Sequence, residues 1–288
     1  MAVLAVQAIR RMRGGAQSQL MLGADGNLWV VKFQNNPQHL RVLANELIVS
    51  RLAEAAGLSV PKSDIVEVTP WLAANSFDLE VDLGHGRRER CLPGLHFGSR
   101  FIGGLVPGET VDYLPEPQLE EVLNLKEFAG ILALDKWTGN CNGRQAVFNR
   151  KPRGKRYSAT FIDHGFCFNA GDWTFPDSPL RGVYARNSVY ARVTGWESFD
   201  PWLKRFEHIE ADILGGIAES VPPEWYGGDM ADIERLMEQL LKRRSRIREL
   251  ILSFRNSERA PFPLWTPSKS IAVPHNFTET AASKGYIM

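Results

Sequence analysis

Two hydrophobic periods divide the chain. Up to about residue 104, apolar residues come in short runs broken by glycine, proline and polar turns, the pattern of strands. Residues 3–12 (VLAVQAIRRM) and 19–33 (QLMLGADGNLWVVKF) read as strands, with Ala24-Asp25-Gly26-Asn27 as a hairpin turn. SVPKSDIVEVT and CLPGLHFGSRFIGG read as further strand material. One helix interrupts them. Over residues 37–57, Leu40, Leu43, Leu47, Leu52 and Ala55 fall on one face, Pro37 sits at the start and Gly57 at the stop. From Pro117 the period becomes helical, over 118–137, 199–219 and 229–254, and the first of these runs into a polar loop. The predicted fold is α+β and bilobal. A small β-rich lobe with one main helix spans 1–104, a larger mostly helical lobe 105–257, and a tail 258–288.

Composition changes this picture little. The 288 residues are 44% hydrophobic and 23% charged, enough for a core in one large domain or two lobes sharing a cleft. A formal net charge of +1 gives no overall field toward nucleic acid or an acidic membrane. No apolar run approaches the roughly 18–20 residues of a membrane helix. Arg10, Arg11 and Arg13 follow the N-terminal apolar run rather than precede it, the wrong order for a signal peptide. The three cysteines, Cys91, Cys141 and Cys167, are widely spaced and fit a reducing compartment. The expectation is a soluble, cytoplasmic protein without membrane contact. KRRSRIR (242–248) offers cations to an acidic partner or nucleic acid, but Glu234, Glu238 and Glu249 lie at helical spacing to pair with them. The aromatics of GDWTF and GWESFDPW are expected to pack rather than stack on bases.

Several residue types suggest phosphate and metal chemistry. In RGGAQSQ, between the first two strands, Gly14 and Gly15 free the backbone to approach phosphates, with Gln17 and Ser18 following. The same composition serves a plain hairpin. Lys32, in the strand WVVKF, points either to solvent or into a cleft. Glu46 on the next helix is placed at the edge of its apolar stripe, where it could hold that lysine against nucleotide phosphates. His96 is a possible ligand in a segment joining the lobes, or a packing residue among aromatics. FIDHG puts Asp163 at the end of an apolar strand, presented either to a hard cation such as Mg²⁺ or to a turn. Asn140, Asn142 and Gln145 supply neutral oxygens in the loop before it, and Asp135 reads as a carboxylate tying that loop.

Together, VVKF…NELIVSRLAEAAGLSVP and LDKWTGNCNGRQAVF…FIDHG resemble the HipA-like kinase family, with a more distant likeness to phosphatidylinositol 4-kinases. The resemblance covers about residues 5–255. It implies a protein-kinase-like fold that binds Mg-ATP between two lobes and phosphorylates a protein Ser/Thr hydroxyl. Gly14–Ser18 would cover the phosphates, Lys32 would contact them and Glu46 would hold Lys32. Asp163 would bind the metal, with Gln145 or Asn142. A protein substrate or regulatory protein is the implied partner, with nucleic acid reached only through such a partner. The loop departs from the family pattern. Asn142 stands where the catalytic aspartate is expected, with Val147 at the metal-binding asparagine; shifted by two, Asn140 and Gln145 take those places. Neither register restores a carboxylate, and an amide cannot accept the hydroxyl proton at neutral pH. A pseudokinase acting as a nucleotide-binding regulatory module, and a nucleotidyl transferase on the same fold, are therefore the alternatives, with a purely structural interaction protein as a third.

Overall fold

The computed structural model describes residues 2–103 and 106–266. Its N-terminal half is a closed five-stranded barrel. Strands β1 (Val3–Arg11), β2 (Gln19–Gly23) and β3 (Leu28–Lys32) form an antiparallel meander. After them come α1 (Val42–Ala55), β4 (Ser63–Val68), α2 (Pro70–Asn75), the hairpin β5 (Glu80–Gly84) and β6 (Arg87–Arg90), and β7 (Gly94–Arg100). The barrel order is β1-β2-β3-β7-β4, and β1 and β4 close it in parallel. Alternate strand residues Met21, Trp29, Val31 and Val66 fill its interior. The strands and the 24–27 turn fall where the pattern places them, whereas α2 and the β5–β6 hairpin were not foreseen.

The second half is mostly helical. It contains β8 (Thr110–Val111), α3 (Glu116–Leu119), α4 (Glu127–Thr138), the hairpin β9 (Gln145–Asn149) and β10 (Ser158–Ile162), α5 (Trp202–Glu207), α6 (Ala211–Glu219), α7 (Met230–Arg243) and α8 (Ile247–Arg255). Each long helix expected here is broken. In the first, the Leu123 N–H and the Asn124 side chain are diverted to the β10 edge, bonding Tyr157 O, Ala159 O and Ala159 N. In the last, a 3₁₀ turn over Arg244–Arg246 separates α7 from α8. There Arg243 turns inward and donates to the Lys136 and Trp137 carbonyls at the end of α4. The other cations of this stretch are also engaged: Arg246 with Asp177 and Glu249, Arg248 with Glu207, Lys242 with Glu238. The expected tail begins too early. Phe262 is buried against Tyr190, Phe199 and Phe254, so residues 258–266 belong to the helical body, while 267–288 lie outside the described residues.

Two helices are internal. α1 is buried on every side from Val42 to Ser50, because it is packed between the barrel and the helical half. No single apolar face exists there, and Leu40 lies outside the helix, exposed. α4 is buried throughout Phe128–Thr138. It approaches α5 so closely that a methyl on Gly130 would fall 2.4 Å from the Trp202 ring.

His96 is a structural residue of the barrel. Its ring is fully buried beside Phe33; Nδ1 accepts from the Gln34 N–H and Nε2 donates to Leu92 O. Both nitrogens are spent within the fold, so the ligand role expected of it is not supported. Burial pushes its pKa down to about 4, against a backbone hydrogen bond that favours the charged form.

Two outcomes test this packing. Gly130→Ala should lower unfolding free energy by about 1–3 kcal/mol through overpacking, whereas Gly216→Ala, in a helix position with open space around it, should raise it by about 0.5–1 kcal/mol. Urea titrations that give both the same sign would refute the close approach of α4 and α5. For His96, the unfolded chain binds a proton near pH 6.5 and the folded chain only near pH 4. Stability is therefore fully present above pH 6.5 and lost as pH falls toward 4, by about 3 kcal/mol. His96→Gln should flatten the pH dependence of the urea midpoint in that window.

Candidate active site

Lys32 ends β3 opposite Phe97 of β7, one residue beyond the Gln19–Val31 pair with the start of β2. That places its ammonium beneath the β1–β2 loop and next to α1. It forms an ion pair with Glu46 of α1 and donates to Asp163 Oδ1 at 2.8 Å. Glu46 also accepts from the Gly165 N–H at 2.9 Å. A Cβ on Gly165 would lie 2.6 Å from Val42 and 3.2 Å from the Glu46 carboxylate, so only glycine admits this approach. Three segments distant in sequence thus meet on one buried cation.

The electrostatics follow from that meeting. Burial works against the Lys32 charge, but Glu46 and Asp163 outweigh it and raise its pKa, so the ammonium is kept. Burial lifts the Glu46 carboxyl, with Lys32 pulling it back and Asp163 adding to the rise. Asp163 is held below its usual value because Lys32 and Arg144 overcome its burial. Two carboxylates share one ammonium, which leaves the cluster with acceptor capacity for a further cation.

Gln145 starts β9, opposite Ile162 of β10, so it stands beside Asp163 and donates to its Oδ2 at 2.6 Å. A turn of that amide would present its oxygen instead. One carboxylate and one amide suit a hard cation such as Mg²⁺, which keeps waters and takes most of its ligands from phosphate. Val147, the alternative metal position, is paired with Thr160 in the middle of the hairpin.

Asn140 and Asn142 have different surroundings. Asn140 is buried: its amide donates to Asp135 and its oxygen accepts from the Asn142 N–H. Asn142 has an exposed side chain whose oxygen accepts from the Gly143 N–H at 2.8 Å. Asn140 is a framework residue of the loop, and Asn142 is exposed on it. The framework is centred on Asp135, fully buried with Arg144 in a two-point ion pair. Arg144 also donates to the carbonyls of Ile162 and Asp163. The loop is thereby fastened to the strand end that carries Asp163, whose φ of 64° lies in the left-handed region.

The Gly14–Ser18 loop caps the barrel on the side of Lys32. Gly14 adopts φ 120° with open space around it, which lets backbone approach a ligand. The Gln17 side chain is spent within the fold, exchanging two hydrogen bonds with Asp82 of β5 at 2.6 and 2.7 Å. Ser18 is buried and its carbonyl accepts from Met12. Asn36 donates to Ala16 O and so ties the loop to the segment after Lys32. Within the segment joining the two halves, Gly104 and Leu105 lie outside the described residues.

Asn45 was missed as a site residue, although it precedes Glu46. It is fully buried; its amide nitrogen donates to the carbonyls of Gly165, Cys167 and Ala170, and its oxygen accepts the Trp173 indole N–H. The loop it holds contains Phe168, Asn169, Ala170 and Trp173, all at positive φ. The signal in sequence was a polar residue inside an otherwise apolar helix segment.

No curated protein sequence matches the chain. Solved structures that it resembles in fold include the Helicobacter pylori proinflammatory kinase CtkA (TM-score 0.55, 15% identity, 89% of this chain and 99% of that one). They also include hydra Fam20 with sugar (0.52, 11%, 91% and 89%) and a Golgi casein kinase with Mn/ADP bound (0.51, 13%, 89% and 73%). The sequence model described as HipA-like kinase matches residues 5–250. With that match spanning barrel, catalytic-type loop and Asp-His-Gly strand end, the chain belongs to the HipA-like kinase family.

Proposed function

We propose that this chain binds Mg-ATP between its barrel and helical lobes and is built to phosphorylate a Ser/Thr hydroxyl on a protein. The observation that carries this reading is the convergence of Lys32, Glu46 and Asp163, a buried ammonium offered to phosphate beside a carboxylate offered to metal. The Golgi casein kinase structure, with Mn and ADP bound, supports nucleotide and divalent metal use. Lys32 contacts the α/β-phosphates while Glu46 fixes its position. Backbone N–H groups of Gly14 and Gly15 would cover the phosphates. Asp163 and Gln145 are the residues that would hold the metal, whose charge would offset that of the phosphate oxygens.

In the transfer, the acceptor oxygen bonds to the γ-phosphorus, the bond to the β-phosphate oxygen breaks so that ADP leaves, and the acceptor proton passes to water. Asn142 can hydrogen-bond the hydroxyl and orient it, but has no basic site to take that proton. A second reading rests on the same residue: a nucleotide-binding regulatory module, with catalysis silenced at one position. Loss of a general base costs about 10²–10⁴-fold, and the Asp135–Arg144 pair fastens the loop from beneath, the Asn142 side chain accepting within it from the Gly143 N–H.

Calorimetry should show Mg-ATP binding to the chain and to Asn142→Asp alike, with γ-phosphate transfer faster in the aspartate form by about 10²–10⁴-fold. Equal transfer rates would discard the assigned role of Asn142, and no binding by either protein would discard the nucleotide reading. Intact mass of the acceptor separates a phosphate-sized increment from the nucleotide-sized one expected of a nucleotidyl transferase.

Lys32→Met should weaken Mg-ATP binding by about 10–100-fold, the worth of a charge-assisted hydrogen bond. Asp163→Asn should abolish the dependence of binding on Mg²⁺ while leaving metal-free ATP binding measurable. Retained Mg²⁺ dependence in Asp163→Asn would exclude that carboxylate as the metal ligand.

A further inference from the structure

The β9–β10 hairpin ends in a tip that the kinase reading does not use. Over residues 150–156, RKPRGKR, five of seven residues are cations, and no acidic residue occurs anywhere from 145 to 162. With the chain at a formal +1, the remainder is net acidic. Lys151, Arg153, Lys155 and Arg156 are exposed, and among the described residues none of the five cations has a carboxylate partner. That contrasts with α7 and α8, where Arg243, Arg246 and Arg248 all meet acids. Lys151-Pro152-Arg153-Gly154 is a tight turn closed by Gly154 N–H to Lys151 O at 2.8 Å, with Arg153 at φ 63°. Glycine or asparagine fills such a position at lower cost, so the turn itself does not call for arginine there.

The tip opens onto a groove in the helical half. Arg156 lines a depression of about 340 Å³ together with Glu120, Glu121 and Arg192. A second depression, of about 360 Å³, adjoins it through Val122, Leu123 and Arg192, and is lined by Leu125, Ala129, Val189 and Val193 together with Lys126, Glu197 and Asp200. Leu123 is 56% exposed at the junction. The tip cations thus stand at one end, and the exposed Leu123 with the apolar residues beside it comes next along the groove. Glu120 and Glu121 lie beside Arg156 and Arg192, so the cations free for an acidic tract are those of the turn, Lys151, Arg153 and Lys155, and no aromatic lining the groove offers a base-stacking platform.

We infer that this groove docks a linear protein segment in which an acidic tract is followed by apolar anchor residues, the acids meeting the hairpin tip and the anchors covering Leu123. The tip lies roughly 15–20 Å along the hairpin from Gln145, and the trough starts about 18 Å along α4 from its loop end. A segment held there leaves the candidate active site free. That the segment belongs to the phosphate acceptor rests on the phosphotransfer reading; docking itself does not.

The test is fluorescence anisotropy with a labelled synthetic peptide carrying an acidic tract followed by leucines. Controls are the same peptide with lysine for each acid, one with alanine for each leucine, and a labelled DNA duplex. Binding should be confined to the acidic–leucine peptide and fall at least about tenfold in Arg153→Glu/Lys155→Glu/Arg156→Glu, and likewise in Leu123→Ser. Both variants alter exposed side chains, and an unchanged melting temperature establishes their folding. Binding that ignores these changes, no peptide binding, or binding of the duplex instead would each overturn the inference. Mg-ATP calorimetry on the same proteins separates the two readings: peptide binding without nucleotide binding sinks the kinase assignment and leaves the docking site.

Discussion

Removing an ammonium from water is unfavourable unless opposite charge is fixed beside it, and the whole molecule is arranged around one such case. Lys32 is buried at the end of β3, and its partners come from α1 and from the end of β10. A carboxylate on only one side would join barrel to helix. The second carboxylate joins both to the helical half. Because Glu46 also accepts from Gly165, the backbone after Asp163 is pulled against α1. Asn45, one residue earlier, takes the carbonyls of the same loop, so adjacent polar residues in a buried helix hold a run of left-handed backbone that would otherwise be unfavourable.

A second buried pair fastens the loop from beneath, on the side away from its exposed residue. Asp135 is satisfied by Arg144 and Asn140, and Arg144 extends to the carbonyls at the end of β10. These contacts would be the same with aspartate or asparagine at position 142. Whether position 142 carries an amide or a carboxylate is therefore a matter of one exposed side chain rather than of the fold beneath it. For the same reason the strand end bearing Asp163 stays formed even though the neighbouring amide cannot act as a base.

What could be read from the sequence follows from how local each signal is. Strands with a 24–27 turn, a lysine ending a strand and an aspartate before glycine at a strand end are all short-range patterns, and Lys32, Glu46 and Asp163 were found through them. The internal helices misled, since a helix buried on all sides has no apolar stripe; Leu40 was placed on a face that α1 does not have. The helix breaks at 120–126 and 244–246 come from side chains recruited across more than thirty and more than a hundred residues, by β10 and by the end of α4. Composition alone could not tell Gln17, spent on Asp82, from a phosphate ligand, nor the buried Asn140 from the open Asn142. Burial decided both.

The charge arrangement at Lys32 also constrains how ligands would enter. With no added cation, Asp163 holds part of the ammonium that a phosphate would need, and Gln145 occupies its other oxygen. A cation that takes over Asp163 frees Lys32 toward phosphate, and a phosphate at Lys32 leaves Asp163 in need of a cation. Each ligand compensates the charge that the other displaces, so their affinities are thermodynamically linked and the coupling is reciprocal. A site of this kind favours metal and nucleotide together over either alone, which requires nothing of Asn142. In the proposed function, nucleotide binding and acceptance of the hydroxyl proton are assigned to separate residues, so the first does not depend on the second.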